Sequence, residues 1–173
     1  MHAATVATAI VCMLAGSGCG AMSRMGTALV TQQDGQPCFA LPVDSETRRA
    51  PVRLFSLSVT PDVERTDWRI LPQQLWRFEF AAPGATIDPA RDACIRYGRL
   101  PPAASLRAGP AELKPGQRYR VDITARPAHG NLSTLGYKAE FCLTAARDGS
   151  ITVQPVLWDK AARRWRREVC AAP

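Results

Sequence analysis

From residue 37 onward, apolar side chains recur at every second position, and that spacing leaves the chain little choice but strands. In Leu75-Trp76-Arg77-Phe78-Glu79-Phe80-Ala81 the aromatic residues share one parity, Arg77 and Glu79 the other. A strand turns successive side chains to opposite faces, so such a segment buries one face and wets the other. Tyr119, Val121, Ile123 and Ala125 alternate in the same way with Arg118, Arg120, Asp122, Thr124 and Arg126. Tyr137, Ala139, Phe141 and Leu143 alternate with Lys138, Glu140, Cys142 and Thr144. Further strands are expected over 28–33, 38–43, 53–59, 93–98, 151–158 and 164–170, parted by Pro, Gly and Asp clusters. No segment carries a helical period. Eight or nine short strands joined by turns predict an all-β chain, either a two-sheet sandwich or a small barrel.

The stretch from Leu113-Lys114-Pro115-Gly116 to Tyr119 narrows that choice. A Pro-Gly turn with a Tyr heading an alternating strand is a tyrosine corner, in which the phenol bonds backbone a few residues upstream and pins the passage between sheets. This segment resembles the corresponding corner of fibronectin type III domains, which implies an immunoglobulin-like β-sandwich. Further strands follow, so the seven-strand topology does not map directly. Residues 99–117 carry four prolines and read as a long surface connection. Pro155 inside 151–158 predicts a bulge or an edge position, because proline cannot donate to a ladder.

The first twenty residues fix where such a sandwich works. An apolar run from Ala3 to Leu14 is followed by Ala15-Gly16-Ser17-Gly18-Cys19. It is too short to span a bilayer and has the form of a secretory signal. Its small-residue ending at Cys19 resembles the lipobox of bacterial lipoproteins. The resemblance implies a signal peptide over 1–18, lipidation of Cys19 with a membrane anchor, a tether over 19–27 and a β-sandwich domain over 28–173. A plain signal peptide with an incidental cysteine is the alternative. Gly20 after Cys19 resembles the sorting habit of enterobacterial lipoproteins directed to the outer membrane.

Removal of 18 residues from 173 leaves 155, a usual size for one domain. Cys38, Cys94, Cys142 and Cys170 then remain besides Cys19, an even number for an oxidising compartment, and two disulfides are expected. Three pairings are possible. Cys38, Cys94 and Cys142 fall out of phase with the apolar faces of their segments, so the bridges are expected at the periphery. No Cys-x-x-Cys pair points to zinc or to thioredoxin-like chemistry, and no metal or cofactor is expected.

The chain has 22 Lys and Arg against 15 Asp and Glu, and only three of the cations are lysines. After export, nucleic acid is not an expected partner; anionic lipid, acidic glycan or an acidic protein is. The mature part holds one histidine, His129, in a Gly- and Pro-flanked loop with no nucleophile or orienting carboxylate in sight. Asp88 and Asp92 read as turn formers rather than as a glycosidase pair. A binding protein is expected, not an enzyme, and no small-molecule substrate. Its most conspicuous surface is a hairpin running from Trp158 through Arg163, Arg164, Trp165, Arg166 and Arg167. Trp and Arg are the residues most enriched in interface hot spots. The plainer reading makes Trp158 and Trp165 cross-strand packing partners and the arginines a solvated face.

Asp34-Gly35 before Cys38, Cys94-Ile95-Arg96-Tyr97-Gly98, Leu113-Lys114-Pro115-Gly116 before Tyr119 and Gly136-Tyr137-Lys138-Ala139-Glu140-Phe141-Cys142, together with the lipobox, resemble a family of small periplasmic lipoproteins assigned to type VI secretion immunity. The resemblance implies a periplasm-facing immunity protein that docks on a toxic effector and neutralises it. It carries no catalytic residues over. The alternative is an envelope lipoprotein that supports assembly or binds glycan, with no toxin partner.

Overall fold

Three long strands, two of them with alternating faces legible in the sequence, form the centre of the molecule. The computed structural model describes residues 24–44, 47–48, 51–63, 73–128 and 134–170. Its strands are β1 (Arg24–Thr27), β2 (Leu29–Gln33), β3 (Gln36–Ala40), β4 (Val52–Pro61), β5 (Trp76–Phe80), β6 (Ala85–Ile87) and β7 (Ile95–Arg96). They continue as β8 (Ala104–Ala108), β9 (Arg118–Pro127), β10 (Thr134–Ala145), β11 (Ile151–Val156), β12 (Trp158–Asp159) and β13 (Arg164–Trp165), and a 3-10 helix, Arg167–Cys170, follows.

The eight-stranded main sheet runs β1-β10-β9-β4-β5-β8, with β11 also on β10 and β6 also on β4. Two strands share one edge of β10: β1 lies parallel along its first half and β11 antiparallel along its second. Strands β2, β3 and β7 form the smaller layer. The fold is thus an all-β sandwich of unequal layers. Strands of two to four residues raise the count above the eight or nine expected.

The layers meet through the inner faces that period-2 spacing supplies. Tyr119, Val121, Ile123 and Ala125 of β9 and Tyr137, Ala139, Phe141 and Leu143 of β10 are buried with Val52, Leu54, Leu57 and Val59 of β4. Phe39 of the smaller layer meets Phe141 at 5.5 Å between ring centroids, and Tyr119 lies 5.4 Å from Phe141 on the same core. A bulge explains why the inward parity of β4 changes between Leu54 and Leu57: the register slips between Leu54 and Ser56. Phe55 drops out of the pairing, and its ring takes the Arg126 guanidinium at 5.6 Å.

Tyr119 makes the expected corner. Its hydroxyl accepts the Lys114 N–H at 2.5 Å and donates to the Lys114 carbonyl at 3.1 Å, and burial pushes the phenol's pKa up. A second weld was not visible in the sequence. The Gln32 amide donates to the Ile151 carbonyl at 3.0 Å and accepts the Val153 N–H at 2.9 Å, so one side chain satisfies the outward edge of β11. Pro155 lies two residues beyond Val153 in the same outward phase, where no N–H is needed, and the edge position expected for it is found.

Several segments differ from expectation: residues 85–87 form the unexpected β6, and the strand expected over 93–98 is only Ile95–Arg96. Residues 99–117 are more than a surface connection, because β8 within them pairs with β5 and ends the sheet. Residues 24–27, read as the end of the tether, are a strand of the main sheet. The strand expected over 151–158 stops at Val156. The strand expected over 164–170 lasts two residues and turns into the 3-10 helix, because Cys170 is drawn back onto β10 by its bridge to Cys142.

Candidate functional site

The four cysteines pair as Cys38–Cys94 and Cys142–Cys170, the two bridges expected without their pairing. Cys38–Cys94 joins β3 to the residue before β7 and so braces the smaller layer. Cys142–Cys170 ties the C-terminal 3-10 helix to the outer face of β10, where both cysteines pack with Val156 in a small apolar cluster separate from the main core. Neither bridge crosses the main core, as their phase required. Both fit an oxidising compartment outside the cytoplasm. Among the described residues, no helix is long and apolar enough to cross a membrane.

On this floor stands the Trp/Arg hairpin, β12 and β13. Trp158 and Trp165 are opposite in register, with ring centroids 5.4 Å apart and edge-on. Trp165 packs against the Cys142–Cys170 cluster, whereas Trp158 remains 43% exposed and its neighbour Leu157 61%. The Asp159 carboxylate accepts the N–H groups of Ala161 and Ala162, each at 2.9 Å. Those bonds, the Ala162 N–H foremost, hold Asp159 below the usual carboxylate range. Arg163 closes the turn at φ 51°, a left-handed conformation that costs a residue other than glycine about 1 kcal/mol.

The arginines of this segment divide. Arg163 and Arg164 are exposed, as is Lys160, and among the described residues no carboxylate lies within ion-pair distance of them. Arg166 stands 3.7 Å from Glu168. Arg167, expected in the same surface, instead turns inward: two of its nitrogens donate to the buried Glu140 carboxylate at 2.7 Å each. Asp62 lies 3.7 Å from Arg167 and takes Arg118 at 3.1 Å. Arg167 is therefore part of the clasp that holds the C-terminus on the sheet. Elsewhere two carboxylates pair with arginines. Glu79 binds both Arg77 and Arg107, which hold its carboxyl below the usual range, and Arg120 binds Asp122 at 2.9 Å.

The other sequence candidates are quickly placed. Asp92 accepts the Asp88 N–H at 2.5 Å and Asp88 accepts the Ala90 N–H at 3.0 Å, so both carboxylates close their own turn. Cys19, the signal peptide over 1–18 and His129 lie outside the described residues.

A groove that sequence reasoning missed opens at the opposite end of β10 from Arg24. About 430 Å³ in volume, it is lined by Gln36, Tyr97, Glu112, Leu113, Leu143 and Ile151 among others. Five separate segments build it, so no local motif announced it. The strap carrying Glu112 and Leu113 is fixed at Gly109, where a Cβ would stand 1.8 Å from the Leu75 carbonyl oxygen and φ is +69°. The Ala111 N–H bonds that same carbonyl at 2.8 Å, and the Tyr97 hydroxyl donates to the Ala111 carbonyl at 2.7 Å.

Comparison with known protein families, with curated proteins and with solved structures finds no match. The resemblance to secretion immunity lipoproteins therefore rests on the short segments that carry it.

Proposed function

We propose that this chain is an envelope lipoprotein, anchored through lipid on Cys19, whose periplasm-facing domain docks on an incoming type VI secretion effector and neutralises it. The observation that carries this reading is the position of the groove. Arg24, where the N-terminal strand begins, pairs with Thr134 at one end of β10, whereas Leu143 lies nine residues along that strand. At about 3.3 Å per residue, roughly 30 Å separates the entry of the tether from the groove. The groove therefore lies far along the sheet from the anchor, open to whatever enters the periplasm.

The walls of the groove are braced by the tyrosine corner at Lys114, by the Gln32 weld at Ile151 and by the nearby Cys38–Cys94 bridge. A pre-ordered wall lowers the entropy lost on docking, and a specific interface needs only about 800 Å² from each partner. The basic excess speeds encounter with an acidic toxin.

Competition between strains tests the proposal. Cells lacking the protein should be killed by a sister strain that delivers the cognate effector, and the wild-type chain should rescue them. A chain carrying Gln36→Arg and Glu112→Arg should fold, keep its bridges and fail to rescue. Equal survival of deleted and wild-type cells against every sister strain, with a defect in envelope assembly instead, would establish the alternative function.

A further inference from the structure

We propose that the β12–β13 hairpin is a second membrane contact, which lays Leu157 and Trp158 into the headgroup region of an anionic leaflet and holds phosphates with Lys160, Arg163 and Arg164. The inference rests on the envelope reading of the chain but not on its being an immunity protein.

Three observations converge on it. The first is composition at one tip: two adjacent exposed apolar side chains, Leu157 and Trp158, next to three exposed cations that outnumber the tip's one carboxylate, Asp159, the cross-strand neighbour of Arg164. Trp favours the interface because its ring is apolar and its N–H polar, and basic side chains beside it meet the negative surface potential of the lipid. The one carboxylate within the tip, Asp159, is spent on the turn.

The second is topology. β11 runs from Ile151, opposite Ala145, to Val156, opposite Glu140, and so heads toward the Thr134 end of β10, where β1 begins. The hairpin leaves the sheet at the level of Glu140, on the same edge of β10 that carries β1 and about 20 Å from Thr134 along the strand. The third is the length of chain before Arg24. Arg24 is the fifth residue after Cys19, a reach of about 17 Å at full extension. A lipidated Cys19 therefore holds this edge of the sandwich close to the bilayer, within range of the hairpin and inside a few Debye lengths of its charge.

Vesicle partition of the full-length protein tests the contact. Vesicles of phosphatidylethanolamine with about one-third phosphatidylglycerol, some carrying brominated acyl chains, are compared with pure phosphatidylcholine. Tryptophan emission should be quenched in the anionic vesicles, and Trp158→Phe should remove most of that quenching. The triple variant Lys160→Glu, Arg163→Glu, Arg164→Glu should lose the quenching and should partition at least tenfold more weakly once Cys19→Ser has removed the lipid. Unfolding midpoints check that the variants are folded. Quenching and partition unchanged in the triple variant would overturn the hairpin contact while leaving the lipid anchor intact. Absence of acyl labelling on wild-type Cys19, with the triple variant still defective, would overturn the anchor alone. A triple variant that binds vesicles normally but fails to rescue cells from an effector would assign the hairpin to a protein partner instead.

Discussion

The two faces of β10 obey the same spacing and end in opposite circumstances. On the inner face Tyr137, Ala139, Phe141 and Leu143 are buried because they are apolar and the smaller layer covers them. On the outer face Lys138 stays in water, yet Glu140 and Cys142 are buried too, at 4% and 0% exposure. Alternation foretold the first face and not the second. What covers the second is the C-terminal segment, which arrives from 28 residues downstream of Cys142 and is held by a covalent bridge, an ion pair and a small apolar cluster separate from the core. One face is a core. The other is a clasp, and its parts are few enough to remove singly.

The largest difference between the faces should appear on truncating their centres. Phe141→Ala on the inner face removes a fully buried ring that touches Phe39 and Tyr119, and should cost about 4 kcal/mol of unfolding free energy in a denaturant titration. A cost below about 1 kcal/mol would mean that the two layers do not pack as described. Replacing Cys142 and Cys170 together by Ala should cost about 3 kcal/mol, chiefly by freeing a loop of 28 residues in the unfolded chain. The same pair of replacements should expose the outer face: amide exchange at Val156 and along 165–170 should rise, while protection at Val121 and Ile123 stays. Loss of protection across both faces would show that clasp and core unfold as one unit.

Within the clasp, Arg167→Ala should cost about 2 kcal/mol, because it leaves the Glu140 carboxylate buried without its bidentate partner. Combining it with Glu140→Gln should recover most of the loss, as removal of both charges also removes the uncompensated one. Additive costs in that double-mutant cycle would mean that the pair is not coupled and that the bridge alone holds the C-terminus.

The same contrast explains what could be read from the residues. Period-2 spacing found β5, β9 and β10, because each buries one face on a partner of its own kind. It missed β8, whose five residues follow Pro101 and Pro102 and form an edge strand with Leu106 half exposed, so that no apolar alternation was required of them. It missed β1, because a short parallel strand held by backbone bonds needs no signature beyond tolerance of extension. Cysteine phase showed that the bridges avoid the main core but not which sulfurs meet. The Trp/Arg cluster was visible as a hairpin, yet its division into outward Arg163 and Arg164 and inward Arg167 depends on Glu140, 27 residues upstream of Arg167. The groove had no local trace at all, since its lining comes from turns and strand ends that only the fold brings together.

Alkaline titration should separate the faces by the smallest effect. Burial pushes Tyr97 to about 12 and raises Tyr119 as well, and both belong to the inner core. A tyrosine is neutral when protonated, so a raised pKa means that the folded state holds its proton after the unfolded chain, near pH 10, has released it. Unfolding then liberates protons, and stability, intact below pH 10, should fall as pH rises from 10 to 12. The clasp should not share this response, because a disulfide and an arginine–carboxylate pair hold it and it contains no tyrosine. The denaturation midpoint should therefore be level from pH 8 to 9.5 and decline above 10, with a shallower decline in Tyr97→Phe. Amide protection over 165–170 in the native state should stay unchanged across the same interval once intrinsic exchange is corrected for. A slope identical in wild type and Tyr97→Phe would remove Tyr97 from the account. Loss of protection in the C-terminal segment ahead of the core would show that the clasp, not the buried tyrosines, is the alkaline weak point.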